Sequence, residues 1–387
     1  MTRSRTGKSV RRGKIQPVLS RRALFALPLA AAACSRRRGG PAFRGYAFVA
    51  SEEGQAIAAV DLEAMAVARH IPLVGSPSMV LSAPERPFVY ALTPGNGTVH
   101  EIAVDRVSFA RKLTVAQTAL SMQMTPDGSA LFVLGRGLNS TAITMIRVAL
   151  DSFRAEWKLP LPEDAVELAL APDGTTAAVS CASGVRFIDL ERRKVREPSG
   201  RGSFGAVRFL ADSKTLIAAD LGGRRLSLYD AATSQLITHL PLAVRPDHLC
   251  FNADGGQLFV TGEGMDAVVV VYPYRTPEVA ETVLAGQAPG PMAASQAYLF
   301  VASPSSGNVS VIEINSRKVI AVAPVGSDPG FIAVTPDDQY ALVLNRRSGD
   351  VSVLRVGAIT KNRDRRASLL TVIPVGSKPV SAVVRAV

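Results

Sequence analysis

The sequence predicts an all-β fold, a β-propeller built from four-stranded blades. One observation is a turn signal that recurs every 39 to 46 residues over most of the chain. Another is that the stretches between turns are short runs with period-2 alternation and almost no helical periodicity. A four-stranded unit of ~40–45 residues leaves two apolar faces open to water, and radial stacking covers both while exposing only short strand edges. A linear array would need polar terminal caps. The sequence shows none, so a closed ring is expected.

The turn appears at Pro84-Glu85-Arg86, Pro126-Asp127-Gly128, Pro172-Asp173-Gly174, Ala211-Asp212-Ser213, Ala253-Asp254-Gly255 and Pro336-Asp337-Asp338, with Ala294 in the matching place of one degenerate copy. The spacings are 42, 46, 39, 42, 41 and 42 residues. Each turn is followed by a short apolar run (LFVLG, AAVSC, LIAAD, LFVTG, LFVAS, ALVLN) and then a Gly-rich turn. An alternating strand such as NVSVIEI (308–314) or RLSLYD (225–230) comes next, and a strand such as KVIAVAPVG (318–326) ends the unit.

Inner strands begin near Met79, Leu120, Val166, Gly205, His248, Pro291, Phe331 and Val380. Sets of three outer strands lie near 45–74, 88–115, 131–160, 176–198, 215–243, 258–284, 298–325 and 341–375. Both lists have eight members, so eight blades are expected. Seven would follow if the weak unit at 160–200 were irregular. The chain opens on an outer set without an inner strand and closes on an inner strand without an outer set. Val380–Val387 should therefore complete the N-terminal blade and lock the ring.

The N-terminus reads as a targeting segment rather than as fold. Of the formal net charge of +12, residues 1–33 carry eight basic residues and no acid, and removing them leaves +4, three of it on Arg36, Arg37 and Arg38. The body is close to neutral, so no nucleic-acid partner is implied. The basic region ends at Ser20-Arg21-Arg22, followed by an apolar run (23–33) and Cys34. About eleven apolar residues are too few for a stable spanning helix. SRRALF resembles a twin-arginine export motif with Leu24 where Phe is usual. LAAAAC resembles a lipobox with Ala31 where Leu is usual, which implies lipidation of Cys34; the alternative is a plain secretory peptide cut near Ala33, with Cys34 incidental. The expected organisation is an export signal (1–33), a short tether (34–43) and one propeller domain (44–387). The expected location is the periplasm or cell surface of a bacterium, tethered to membrane only through the lipid. Three cysteines exclude a disulfide framework.

The segment 306–345, SGNVSVIEINSRKVIAVAPVGSDPGFIAVTPDDQYALVLN, resembles the YVTN-type β-propeller repeat of bacterial and archaeal surface and secreted proteins. The shared features are the Gly-x-Val-x-Val-Ile strand, Val-Gly-x-x-Pro before the inner strand, the Pro-Asp turn and the Leu-Val-Leu-Asn run. LFVTG and LFVAS match the naming strand more loosely. The resemblance implies a fold and says little of chemistry, because propellers of this type resemble binding proteins, lactonases and dehydrogenase subunits alike.

No motif in the sequence calls for a cofactor. His70, His100, His239 and His248 have no ligand spacing, and neither CxxC nor CxxCH occurs, so no intrinsic metal or covalent haem is expected. Cys181 and Cys250 are expected to be buried and apolar. There is no GxSxG elbow and no defensible Ser/His/Asp order, so no catalytic residue is assigned. The Gly-rich segments 135–139 and 220–225 open no helix and read as turns rather than phosphate cradles. The repeated Asp127, Asp173, Asp254 and Asp337 read as turn residues rather than calcium ligands. The basic stretch 361–366 reads as a solvated loop or, as the alternative, a docking loop for acidic partners.

Aligning the inner strands on Pro77, Pro246 and Pro329 brings two positions per strand onto one face. They are Ser121/Gln123, Glu167/Ala169, Ala206/Arg208 and His248/Cys250 in four successive repeats, and largely apolar residues elsewhere. If that face lines the channel, Gln123, Glu167, Arg208 and His248 form a candidate ligand pocket with an apolar wall. The competing reading, favoured because buried charge usually occurs paired, is a structural Glu167–Arg208 ion pair between adjacent blades. The leading function is therefore an exported, lipid-anchored module that binds an unidentified protein, glycan or small ligand without catalysis of its own. The alternatives are a lactonase-like hydrolase, an accessory propeller of a periplasmic dehydrogenase, or a carrier of non-covalent haem.

Overall fold

The structure, a computed structural model, describes residues 43–83, 85–138, 142–162, 164–359 and 369–387. Arg21, Arg22, Cys34 and the basic stretch 361–366 lie outside the described residues. The described chain forms eight antiparallel four-stranded sheets, each a hairpin-connected blade. Blade 1 takes its inner strand from the C-terminus, Pro379–Ala386, and its other strands from Gly45–Ser51, Ala56–Asp61 and Ala66–Pro72. The inner strands of blades 2 to 8 are Met79–Ser82, Thr118–Met124, Ala165–Leu170, Phe204–Phe209, His248–Phe251, Met292–Ala294 and Pro329–Val334. Eight blades and C-terminal closure stand as the strand arithmetic has them.

The repeat unit follows from local chemistry. In the turn after the inner strand, the Asp side chain accepts from the backbone N–H two residues on. Asp127 takes Ser129 N at 3.0 Å, Asp173 takes Thr175 N at 3.0 Å, Asp212 takes Lys214 N at 2.8 Å and Asp254 takes Gly256 N at 2.7 Å. The residue after that Asp is left-handed, which suits Gly128 (φ 65°) and Gly174 (φ 71°) at no steric cost. The Asp repeat is thus turn chemistry.

The core is not a single mass. Each of the eight blade junctions has its own apolar cluster, because both faces of every blade are covered by a neighbour. Leu342 and Leu344 of blade 8 pack with Val49 and Val60 of blade 1, and Leu228 of blade 5 packs with Val260 of blade 6. The remaining six junctions are built in the same way. Blade 4 is the weak unit the sequence marks: its outer strand is reduced to Lys194–Val195, with a lone bridge between Val185 and Ser199 beyond it. It remains a blade, because its other three strands pair continuously apart from one bulge in the inner strand.

Candidate functional site

The inner strands of neighbouring blades pack against one another around most of the ring. Their geometry is set by bulges near their first residues. Pairing skips Leu120 in blade 3, Val166 in blade 4, Gly330 in blade 8 and Val380 in blade 1. A bulge leaves one residue unpaired and re-aims the side chains beside it. Leu120 and Val166 are accordingly 48% and 50% exposed, although each sits in an inner strand. These two apolar side chains are missed by an alignment that assumes uninterrupted alternation.

Glu167 directly follows the bulge of blade 4, and Arg208 lies in the inner strand of blade 5. The two form an ion pair between neighbouring blades, Arg208 Nη1 with Glu167 Oε1. Arg208 Nη1 also donates to its neighbour Val207 O at 2.7 Å. Both side chains keep contact with solvent, at 40% for Arg208 and 27% for Glu167. The pair is therefore a half-buried charged feature rather than a sealed internal bridge.

The other two residues do not join it. Gln123, half-buried in blade 3 opposite Phe132, makes no side-chain hydrogen bond among the described residues. His248, half-buried at the start of blade 6, has a pKa below its ordinary value. Burial is the main cause; the Arg346 guanidinium adds to it and Asp247 opposes it. At neutral pH the ring is uncharged, able to donate through one nitrogen and accept through the other. Cys250, two residues on, is only partly buried, and desolvation pushes its thiol up to about 12 despite the Arg208 charge nearby. It is no nucleophile in this state. Cys181 is buried as expected.

A cavity of about 580 Å³ opens beside His248, bounded by Asp247, Glu263, Met265, Asp266 and Pro289. Its rim is ordered by an acid–base network: Arg245 Nε donates to Asp247 Oδ1 at 2.7 Å, and Arg245 Nη1 lies 2.8 Å from Glu263 Oε2. Gly262 is required there, since a Cβ would stand 1.8 Å from Arg245 O. On the opposite face, the shortened outer strand of blade 4 leaves a cavity of about 840 Å³ lined by Trp157, Arg147, Asp127 and Asp173. Neither cavity has a linear signature, because each is made by loops far apart in sequence.

Among the described residues two hydroxyl–imidazole pairs occur, and both lie within blades. Thr93 Oγ1 is 3.1 Å from His100 Nε2, and Ser227 Oγ is 2.9 Å from His239 Nδ1. Thr93 and Ser227 are completely buried. A nucleophile that no substrate can reach does no chemistry, so these pairs belong to the fold. No group of three His, Cys, Asp or Glu among the described residues is placed to hold a metal ion.

No family model matches the chain. Among curated proteins it is similar to the seven-bladed beta-propeller protein Rv1057 of Mycobacterium tuberculosis, at 28% identity over 134 residues. That match spans 33% of this chain and only 34% of that protein. Among solved structures, the dihydro-heme d1 dehydrogenase NirN in complex with DHE aligns with a TM-score of 0.71 and 12% identity, over 90% of this chain and 77% of that one. A functionally unknown protein from Desulfotomaculum acetoxidans aligns at 0.58 and 12%, over 88% and 99% of the two chains. Hydrazine synthase of Kuenenia stuttgartiensis aligns at 0.51 and 18%, over 80% and 95%. The likeness is one of fold. The chain is an eight-bladed β-propeller.

Proposed function

We propose that this propeller is an exported, lipid-anchored binding module of the cell envelope, of the YVTN-repeat type, whose ligand docks at the channel mouth over blades 4 to 6. The observation that carries the reading is the half-buried, partly solvated Glu167–Arg208 pair, with, separately on blade 6, a neutral His248 whose side chain makes no hydrogen bond among the described residues. These are polar groups in partial contact with solvent on inner strands that are largely apolar. Such a constellation recognises a ligand by hydrogen bonding with an apolar wall behind it. The hydroxyl–imidazole pairs sealed inside the blades favour binding over hydrolysis. Export and anchoring are supported by the SRRALF and LAAAAC segments.

Thermal-shift and calorimetric titration of small ligands and glycans against the mature protein tests this reading. Glu167→Gln and His248→Ala should abolish binding and move the melting temperature little. A large loss of stability with binding intact would show that the cluster is structural, and turnover of a lactone panel would establish the hydrolase instead.

A further inference from the structure

The outer strand of blade 4 is two residues long, Lys194–Val195, whereas those of the other blades run to six or seven. Beside that gap lies the outer strand of blade 3, Arg154–Pro160, and there Trp157 stays half-buried at the wall of the 840 Å³ cavity. Trp157 is the single tryptophan of the chain. Its ring meets that of Phe132 at a tilt, with centroids 5.5 Å apart and planes at 61°. The Arg193 guanidinium lies over the indole, 5.3 Å from its centroid. Arg193 is exposed and makes neither a hydrogen bond nor an ion pair among the described residues. The indole N–H likewise has no acceptor there. A buried tryptophan ordinarily has its N–H bonded. This one lines a cavity with its N–H free.

The remaining walls carry hydrogen-bonding groups of both kinds. Asp173, in the turn after the inner strand of blade 4, commits Oδ1 to its own turn. That oxygen accepts from Thr175 N at 3.0 Å and from Thr175 Oγ1 at 2.9 Å, while Oδ2 makes no hydrogen bond among the described residues. Arg196 donates to Ala231 O at 2.7 Å and Ala232 O at 2.9 Å through Nη1, so Nη2 and Nε stay available. Two further charges of the lining are already neutralised, Arg147 by Glu156 and Asp189 by Arg192. A charged ligand would meet both signs at these walls. A sugar ring can use each of them, because every hydroxyl both donates and accepts, and its C–H face packs on an aromatic ring. The volume lies within the ~300–1,000 Å³ of ligand pockets.

We propose that this cavity is a second binding site, for a neutral oligosaccharide. One sugar ring stacks on Trp157 in place of Arg193, which no other contact holds there. Asp173 Oδ2 accepts from the sugar hydroxyls, and the free nitrogens of Arg196 donate to them. The site lies at the opposite end of the inner strands from His248, so it does not depend on the reading of the channel mouth.

Because the chain has one indole, tryptophan fluorescence of the mature protein reports on this cavity alone. Maltotriose, cellotriose and triacetylchitotriose are titrated in turn, with calorimetry in parallel. At least one should change the emission saturably, with the same midpoint by heat. Trp157→Ala should weaken calorimetric binding of that sugar by about tenfold or more, and Trp157→Phe, which keeps a ring, should recover most of the loss. Asp173→Asn, an exposed change that keeps a turn-forming side chain, should weaken it by about fivefold, as one charge-assisted hydrogen bond is reduced to a neutral one. Glu167→Gln, in the inner strand, should stay within about twofold. Should Trp157→Ala fail to fold, Asp173→Asn decides alone. No saturable change with any of the three sugars, or unchanged affinity in the deciding variant, overturns the site and leaves the channel-mouth reading standing. Loss of sugar binding in Glu167→Gln overturns it too, and moves the sugar to the channel mouth.

Discussion

Deleting Pro379–Val387 should destroy the cooperative fold, and the size of the effect can be worked from the closure itself. Seven residue pairs align between Gly45–Ser51 and Pro379–Ala386, from Gly45 opposite Ala386 to Ser51 opposite Pro379. One net hydrogen bond per pair at ~1 kcal/mol gives about 7 kcal/mol. The deletion also removes Ser381 Oγ, which accepts Val80 N at 3.2 Å, and Arg385, which donates to Ala83 O and Arg86 O at 2.9 Å each. Both contacts tie blade 1 to blade 2. Whole domains are stable by only about 5–15 kcal/mol, and the bared Gly45–Ser51 edge would template aggregation. The assay is urea unfolding followed by circular dichroism, with size-exclusion chromatography at each step. The full-length chain should show one transition. The truncated chain should show none or elute as aggregate, and a peptide of residues 378–387 added in trans should restore the transition by strand addition. A truncated chain with an unchanged midpoint would refute the closure argument.

Replacing either partner of the Glu167–Arg208 pair should cost no more than about 1 kcal/mol, because both groups are partly solvated; a double-mutant cycle by denaturant titration gives the coupling, and a value of several kcal/mol would make the pair a structural bridge. Acid should destabilise the protein through His100, which burial, with help from Lys112, holds at a pKa of about 4. The unfolded ring takes up its proton near 6.5, so unfolding binds protons between those values, and stability should fall as pH drops from about 6.5 to 4, by about 3 kcal/mol from this group alone. His239 and His248 are also lowered and add in the same direction. Melting temperatures of the parent and His100→Gln across this range check the contribution, and equal slopes would exclude it. Cys34→Ser should release the protein from the membrane fraction, and Arg21→Lys with Arg22→Lys should block export; equal partitioning of Cys34→Ser and parent would reject the lipid anchor.

The blade count, the position of every inner strand and the closing role of the C-terminus were legible in the sequence, since each follows from short-range chemistry. Asp127 and its repeats bond their own turns, Gly128 and Gly174 supply a left-handed residue, and period-2 alternation covers two faces. The irregularity of blade 4 was visible as a weak unit between 160 and 200, although the sequence did not show that its outer strand is the shortened one. The site was legible only in part. Glu167 and Arg208 could be paired from the alignment because they sit on adjacent blades at fixed register, whereas Gln123 stands apart and His248 faces a different neighbour. Bulges decide the rest. A single unpaired residue in the inner strand exposes Leu120 in blade 3 and Val166 in blade 4, and no pattern in the chain announces which strands bulge. Arg346 is a further case, and in sequence reads as an ordinary loop arginine. The hairpin of blade 8 and its bulge bring it over Gly330, whereas the distance between blades is set by packing all eight together.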